Sequence, residues 1–321
     1  MKGHNFNDLQ SYIKFLDRIG DLRTIEREVD PELEITEISC KTIEEDGPAL
    51  LFKNVKGSKY PVATNLFGTK DRMNLSLGCN PKDLGEQILD FAQKSLPPKL
   101  SNIFESLPFI KRGLNFRSKR VHFNASSQQV DGNDNLSSLP ILKCWPEDGG
   151  RFITMGLTIT QSPLTSKRNM GMYRLQMHDH ETLGMHWHPH KGGAAHYHEA
   201  CQLGVDFPVS VVLGGDPSLI FCSIAPLPEN IDEVLFSGFL KNKSIEMTKA
   251  KRSNMLVPAN AEFVIEGRVP IGKTKLEGPF GDHFGYYSME GQFPYLNIDT
   301  ITRKLNPVFP ATVVGRPPKE D

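Results

Sequence analysis

The N-terminal region begins with apolar residues at helical spacing. Residues 7–22 (NDLQSYIKFLDRIGDL) predict an amphipathic helix with Asn7 or Asp8 as its cap and Gly20 near its end. The apolar positions of this helix share one face: Leu9, Tyr12, Ile13, Leu16 and Ile19. The pattern opens a region in which helices and strands alternate.

Three more patterns complete that region. Residues 31–47 predict a helix bounded by a proline and a glycine. Residues 48–55 (PALLFKNV) predict a buried strand. Residues 80–96 (NPKDLGEQILDFAQKSL) predict another helix, which the two prolines after it end. Helices and strands that alternate in this way favour an α/β domain over residues 1–115.

Beyond a polar stretch at 124–138, the apolar residues fall in β-branched and aromatic runs that are typical of strands. These runs are RFITMGLTIT (151–160), FPVSVVLGG (207–215), EFVIEGRV (262–269) and PYLNIDTITRK (294–304). One helix interrupts them, with Asp216 as N-cap and Pro217 at its first position, and a second helix start lies at Pro228. Many strands with few helices favour a barrel-like β domain over residues 116–310.

The composition excludes several classes of protein. The 37 lysine and arginine residues balance 38 acidic residues, so no net charge attracts nucleic acid or a membrane surface. The five cysteines are scattered without a CxxC pair, which argues against a disulfide framework or a thiolate zinc site. We see neither an apolar signal-peptide core nor a membrane-spanning apolar run, so we expect a soluble, cytoplasmic protein.

Histidine is concentrated in one stretch, since five of the ten histidines lie within residues 184–200 (GMHWHPHKGGAAHYHEA). His186, His188 and His190 alternate, so on an extended strand they would share one face, where neutral imidazoles can bind a metal. The same alternation also fits an ordinary polar face of a strand. The spacing by itself leaves both interpretations open.

Two further stretches combine ionisable side chains with glycine, namely KRNMGMYR (167–174) and KLEGPFGDHFGYY (275–287). In the second, Glu277 and Asp282 flank a turn that can bring two carboxylates together, one of which could hold a proton for general acid catalysis. Two solvated acids on a loop would give the same spacing. The nucleotide-binding GxGxxG motif and the hydrolase GxSxG motif are absent.

Taken together, the motifs resemble those of the UbiD family of decarboxylases. The similarity includes RNMGMYRLQM, HWHPHKGG, LGGDPSLI, VPANAEFVIEG, LEGPFGDHFGYY and the terminal GRPPKED. It implies a non-oxidative carboxy-lyase of an aromatic or α,β-unsaturated acid that uses prenylated FMN, a divalent metal (usually manganese) and a potassium ion. It also implies an α+β fold class, in which residues 116–310 form a split β-barrel that binds the flavin.

The resemblance further implies roles for individual residues. Amide, imidazole and carboxylate ligands for a hard divalent metal would come from Asn169, His190 and Glu233. Arg174 would pair with the substrate carboxylate and hold Glu277 and Asp282 in register, and Asp282 would return a proton after CO₂ leaves. The residues beside the flavin would be Met172, Tyr173, Arg174, His186, Trp187, His188, Lys191 and Gly192. Potassium would lie near the carbonyls of Lys167, Cys222, Ser223 and Ala225.

By the same resemblance only His190 of the histidine stretch binds metal, so the metal site of alternating histidines is rejected. The expected substrate is a small carboxylic acid of hydroxybenzoate or naphthoate type in quinone biosynthesis, and a flavin prenyltransferase would supply the cofactor. A prenylated substrate would place the protein at the membrane periphery.

Family chains continue past GRPPKED into a C-terminal α/β domain. We expect this chain to lack that domain, residues 311–321 to begin the linker to it, and a homo-oligomer to form where the domain is present. The missing domain motivates an alternative function, a non-catalytic flavin- or metal-binding module. A metal hydrolase built on the histidine stretch is a third hypothesis.

Overall fold

The structure is a computed structural model that describes residues 5–83, 85–86, 117–132, 134–227 and 231–320. The α-helices within these residues are α1 (Leu9–Arg18), α2 (Glu34–Glu44), α3 (Lys70–Leu77), α4 (Gly192–Leu203), α5 (Pro217–Ile224) and α6 (Glu233–Lys241). The strands that precede α4 are β1 (Leu22–Val29), β2 (Ala49–Val55), β3 (Val62–Thr64), β4 (Lys119–Arg120), β5 (Val130–Asp131), β6 (Phe152–Gln161), β7 (Arg168–Gln176) and β8 (Thr182–Gly184). The later strands are β9 (Phe207–Leu213), β10 (Glu246–Lys249), β11 (Leu256–Pro258), β12 (Phe263–Val269), β13 (Lys275–Glu277), β14 (Phe280–Gly281), β15 (Tyr287–Ser288), β16 (Gly291–Phe293), β17 (Tyr295–Arg303) and β18 (Phe309–Pro310).

The N-terminal region contains a four-stranded sheet in the order β1-β2-β3-β18. Strand β2 runs parallel to β1 and antiparallel to β3, while β18 arrives from the far end of the chain and pairs parallel with β3. Helix α1 is found where it was predicted, and Asp8 caps it by accepting a hydrogen bond from the Ser11 amide at 2.8 Å. The prediction for Ile19 is wrong, because this residue lies past the last helical turn and is 49% exposed.

Seven strands form the main sheet, in the order β5-β17-β12-β9-β6-β7 with β8 beside β17. Neighbouring strands are antiparallel throughout. The four strands predicted from the apolar runs are confirmed as β6, β9, β12 and β17. Strands β6 and β9 bury almost every residue, so both faces of the sheet are covered at its centre.

The main sheet is not closed into a barrel. Strand β8 has three residues, and a single bridge joins its middle residue, Leu183, to Met177, the residue after β7. The chain then leaves the sheet, and Pro189 in the following segment has no N–H to donate to a ladder. The rest of the β7 edge therefore has no strand beside it among the described residues. The predicted split β-barrel is corrected to an open sheet in a mixed α+β fold.

Three helices lie against the open edge, because α4, α5 and α6 all contact β7. Helix α5 begins as predicted, with Pro217 at its first position and the Asp216 side chain accepting a hydrogen bond from the Ser218 amide. Helix α6 begins at Glu233 behind the capping residue Asp232. The first residues of α4 and α6 lie beside β7, since Gly192 borders the Asn169 side chain and Glu233 accepts a hydrogen bond from the Met170 amide.

Several predictions about elements need correction. Helix α6 begins later than the predicted start at Pro228, and residues 228–230 lie outside the described part of the chain. Helix α4 was not expected, since histidine, glycine and alanine give it no apolar stripe and only Gly193 and Ala200 are buried in it. The helix predicted over 80–96 lies mostly outside the described residues.

One apolar cluster joins the N-terminal sheet to the main sheet. It includes Val29 and Phe52 from the former and Leu175 and Val211 from the latter, and all four are buried. The two sheets therefore share a core. None of the helices that the structure describes is long and apolar enough to cross a membrane.

Candidate active site

A cavity of about 530 Å³ lies at the open edge of β7, a volume typical of small-molecule sites. Part of its wall is apolar: Met155, Met172, Ile220, Phe221 and Phe284. Most charged and imidazole side chains on its wall come from residues 167–174, 184–200 and 275–287, the stretches with candidate chemistry: Arg174, His186, His188, Lys191, Asp282 and His283. Glu320 adds one more from the C-terminal end. Distant parts of the sequence therefore meet around one space.

Arg174 and Glu277 form a buried ion pair at this cavity. The guanidinium of Arg174 donates from Nε to Glu277 Oε1 at 3.0 Å and from Nη2 to Oε2 at 3.3 Å. The Glu277 side chain is fully buried and that of Arg174 is 11% exposed. Arg174 lies on β7 and Glu277 ends β13, where Gly278 at φ +95° turns the chain in a conformation that favours glycine. Two strands thus fix the pair.

His186 adds a third nitrogen to this pair. Its Nδ1 lies 2.9 Å from Glu277 Oε2 and 3.0 Å from Arg174 Nη2. The imidazole packs on the Phe293 ring at a centroid distance of 4.2 Å and edge-on to His188 at 4.9 Å. The ring is therefore held on two sides as well as at Nδ1.

Glu277 is an acceptor and not a proton donor at neutral pH. Burial alone raises the pKa of its carboxyl, but the hydrogen bond from His186 and the charge of Arg174 outweigh burial, and the pKa lies below its ordinary value of 4.5. Because Glu277 is fully buried, the interpretation of two solvated loop acids is wrong for this residue.

Asp282 lies on the other side of Arg174, with Oδ2 3.8 Å from Nη1. Its Oδ1 accepts a hydrogen bond from the His283 amide at 2.6 Å and contacts the His283 imidazole. The Asp282 side chain is 31% exposed and lines the cavity. Of the two acids, Asp282 is the one that a ligand in the cavity can reach.

Six of the eight residues predicted to lie beside a flavin line the cavity: Met172, Tyr173, Arg174, His186, His188 and Lys191. Trp187 instead is buried against Tyr197 and Phe207, and Gly192 begins α4. His186, His188 and His190 do not lie on a regular strand, because β8 ends at Gly184.

Asn169 and Glu233 lie close together where α6 begins. Glu233 Oε2 accepts a hydrogen bond from the Met170 amide at 3.0 Å, and burial raises the pKa of the Glu233 carboxyl, an effect that a bound cation would oppose. Asn169 Nδ2 is buried and makes no hydrogen bond of normal geometry to the described residues. A Cβ at Gly192, two residues after the exposed His190, would lie 2.2 Å from Asn169 Oδ1, so a side chain there would displace the Asn169 amide.

These donors fit a hard divalent ion, since an amide oxygen and a carboxylate are ligands that Mn²⁺ and Mg²⁺ accept. Within the described ranges, no three histidine, cysteine, aspartate or glutamate side chains are grouped to hold a metal. The metal site that the resemblance implies uses the amide of Asn169 in addition to His190 and Glu233. His190 and the carbonyls assigned to potassium remain predictions.

The sequence did not point to three residues that shape the site. Ser288 Oγ accepts a hydrogen bond from Arg174 Nη2 at 3.1 Å, and the Phe280 ring lies 4.7 Å from Arg174 Cζ. Both belong to the β14–β15 hairpin, in which Phe280 pairs with Ser288. Phe293, which supports His186, is on β16. The run GYYS after the GDHFG turn was a hairpin pattern that could have indicated Ser288.

Two family domains match the chain. Residues 118–317 match the 3-octaprenyl-4-hydroxybenzoate carboxy-lyase Rift-related domain of UbiD, and residues 13–92 match the 3-octaprenyl-4-hydroxybenzoate carboxy-lyase N-terminal domain. The chain is 44% identical over 315 residues to an uncharacterized protein of Chlamydia trachomatis serovar D, and equally to one of Chlamydia muridarum. The match covers 98% of this chain and 54% of each relative, so the chain spans about half the length of these relatives.

Solved structures share the fold. The closed form of Sedimentibacter hydroxybenzoicus vanillic acid decarboxylase matches with a TM-score of 0.84 and 25% identity, over 99% of this chain and 66% of that one. An evolved dimeric form of the UbiD-class enzyme HmfF from Pelotomaculum thermopropionicum, in complex with prFMN, matches with a TM-score of 0.82 and 24% identity. The match covers 97% of this chain and 68% of that one.

Proposed function

The chain belongs to the UbiD family, and we propose that it is a non-oxidative decarboxylase of an aromatic or α,β-unsaturated carboxylic acid that uses prenylated FMN. The observation that carries this proposal is the arrangement around Arg174. A buried, ionised Glu277 holds the guanidinium on one side, and a reachable Asp282 lies on the other, at the wall of a cavity of about 530 Å³.

Arg174 binds the carboxylate of the substrate. Its Nε and Nη2 are engaged by Glu277, which leaves Nη1, on the Asp282 side, to pair with the acid. Prenylated FMN, when bound, supplies the electron sink for the breaking bond between the carboxylate and its carbon. Glu277 keeps the guanidinium of Arg174 oriented through this step.

Asp282 completes the reaction. Once CO₂ leaves, Asp282 in its acid form transfers its proton to the substrate carbon that carried the carboxylate, so that a C–H bond replaces the broken C–C bond. The resulting Asp282 carboxylate lies 3.8 Å from Arg174 Nη1 and regains a proton from solvent, since the side chain is 31% exposed. Glu277 cannot take this role because it is buried and ionised.

The residues of this chain that would hold the cofactor line the apolar and ionisable wall of the cavity: Met172, Tyr173, Arg174, His186, His188 and Lys191. Asn169, His190 and Glu233 would hold a divalent metal, manganese by the family pattern. Trp187 would support the flavin site from behind through its packing on Tyr197.

We further propose a hydroxybenzoate- or naphthoate-type substrate in quinone biosynthesis, a flavin prenyltransferase as cofactor supplier and a homo-oligomer as the working form. The similarity to a vanillic acid decarboxylase supports a hydroxylated aromatic acid, and the family description names 3-octaprenyl-4-hydroxybenzoate.

The first test is to produce the chain together with a flavin prenyltransferase and to identify the bound cofactor by absorbance and mass spectrometry. We expect prenylated FMN, manganese in stoichiometric amount, and CO₂ release from at least one acid of an aromatic and α,β-unsaturated panel. Cofactor bound without CO₂ release from any acid would favour a non-catalytic flavin- and metal-binding module instead.

We predict that Asp282→Asn lowers the rate of CO₂ release by at least about 100-fold while flavin stays bound, because the variant has no proton to give the substrate carbon. The matched control is Asp206→Asn, a surface acid whose side chain is 77% exposed. Undiminished CO₂ release by Asp282→Asn would show that Asp282 is not the proton donor.

A further inference from the structure

The contacts of Glu277 determine where His186 carries its proton. Glu277 is an ionised carboxylate and can only accept, so His186 Nδ1, at 2.9 Å from Oε2, must donate. Arg174 Nη2 lies 3.0 Å from the same Nδ1 because both nitrogens converge on Oε2. Two donors that share one acceptor explain this short distance between two nitrogens.

A neutral imidazole with its proton on Nδ1 has a lone pair on Nε2. Every polar contact that His186 makes to the described residues goes through Nδ1, and its ring lines the cavity. Phe293 and His188 hold the ring by packing, so it cannot easily rotate to present Nδ1 instead. His186 Nε2 is therefore a hydrogen-bond acceptor with a fixed position, on the side of the site next to Arg174.

We propose that His186 Nε2 accepts a hydrogen bond from a hydroxyl group of the acid that binds in the cavity, and thereby selects hydroxylated substrates. The inference rests on the proposed function for the position of the carboxylate, which Arg174 holds within a few ångströms of His186. The hydroxyl acts as donor, so an ether at the same position on the ligand, which can only accept, leaves Nε2 without a partner.

The test measures dissociation constants by calorimetry for the flavin-loaded protein with benzoate and with matched pairs of hydroxy- and methoxybenzoates. We expect at least one hydroxybenzoate to bind about tenfold more tightly than its methoxy partner and than benzoate, the ratio that one hydrogen bond to a neutral acceptor gives. If the methoxy ligand binds as tightly as the hydroxy ligand, His186 is not an acceptor and the proposal fails.

Two variants separate the two nitrogens of the ring. His186→Asn places an amide where Nδ1 was and can still donate to Glu277, but it has no group at the Nε2 position, so the tenfold preference should disappear. His186→Gln places its amide near the Nε2 position and should restore part of the preference. His180→Asn, a change at a surface histidine whose side chain is 60% exposed, should keep the wild-type ratio.

Other outcomes overturn the proposal. A preference that survives in His186→Asn would show that another group recognises the hydroxyl. A loss of flavin affinity in His186→Asn with the hydroxyl preference intact would show that His186 serves the cofactor instead.

The binding ratio needs no turnover, so this inference and the proposed function can fail separately. A ratio that depends on His186 without CO₂ release supports the inference and contradicts the function. CO₂ release together with equal dissociation constants for hydroxylated and unsubstituted acids does the reverse.

Discussion

Glu277 is the residue on which the local chemistry of the site depends. Its fully buried carboxylate accepts from two nitrogens of Arg174 and from Nδ1 of His186. Burial opposes the charge, yet these three donors outweigh it and lower the pKa. A buried carboxylate that stays charged holds Arg174 in one orientation and His186 in one tautomer.

We expect Glu277 to stabilise the fold above pH 4.5 and to lose this contribution as the pH falls. The folded-state pKa is depressed, so the unfolded chain binds a proton first and the free energy of unfolding decreases below 4.5. Glu277→Gln should be less stable by about 3 kcal/mol near neutral pH, because Arg174 keeps a buried charge without its carboxylate.

The measurement is urea unfolding of both proteins at neutral pH and at several values below 4.5. The difference in stability between them should shrink as the pH falls, and a difference that stays constant with pH would show that the Glu277 charge does not contribute. Comparing the two proteins cancels other groups that titrate in the same range, such as Asp8, whose interaction with Lys304 also depends on charge.

At the scale of one element, α1 shows how a cap and a buried stripe act together. Asp8 accepts a hydrogen bond from the Ser11 amide while the Ser11 hydroxyl bonds back to the Asp8 backbone. The stripe then packs on β2 and β3, with Leu16 fully buried, whereas Ile19 lies past the helix end and is 49% exposed.

We predict that Leu16→Ala lowers the free energy of unfolding by about 2–5 kcal/mol, since it leaves a cavity in the core under α1. Ile19→Ala is the matched control and should change it by less than about 0.5 kcal/mol. Chemical denaturation of both variants tests the pair. A large effect at Ile19 would mean that this side chain is covered in solution.

For the whole molecule, the shared apolar cluster makes the two sheets one unit. Cys144 lies in this cluster and is buried together with residues of both sheets. Burial raises the pKa of the Cys144 thiol to about 12, so it carries almost no thiolate, the form that reacts with alkylating agents. Cys201, near the end of α4, is only half-buried.

We predict that iodoacetamide modifies Cys201 in the native protein while Cys144 stays unmodified until the shared core opens. Peptide mass spectrometry over a time course, with a sample in denaturant as the fully reactive reference, gives the two rates. Modification of Cys144 at the rate of Cys201 would show that the N-terminal sheet separates readily from the main sheet.

The sequence by itself determined those features that depend on neighbours along the chain. Runs of β-branched and aromatic residues predicted β6, β9, β12 and β17, and capping residues placed the starts of α1 and α5, because residue type and caps are local properties. The resemblance of the motifs to those of the UbiD family also implied that Arg174, Glu277 and Asp282 act as a set.

Only the tertiary structure decided which of these residues meet and how. Arg174 and Glu277 are 103 positions apart, and His186 and Glu277 are 91 apart, so no local pattern fixes their geometry or the tautomer of His186. The short β8 left the edge of β7 open where a barrel was expected, and the cavity lies at that edge. Long-range packing sets these features, since it depends on surfaces that the chain brings together only when it folds.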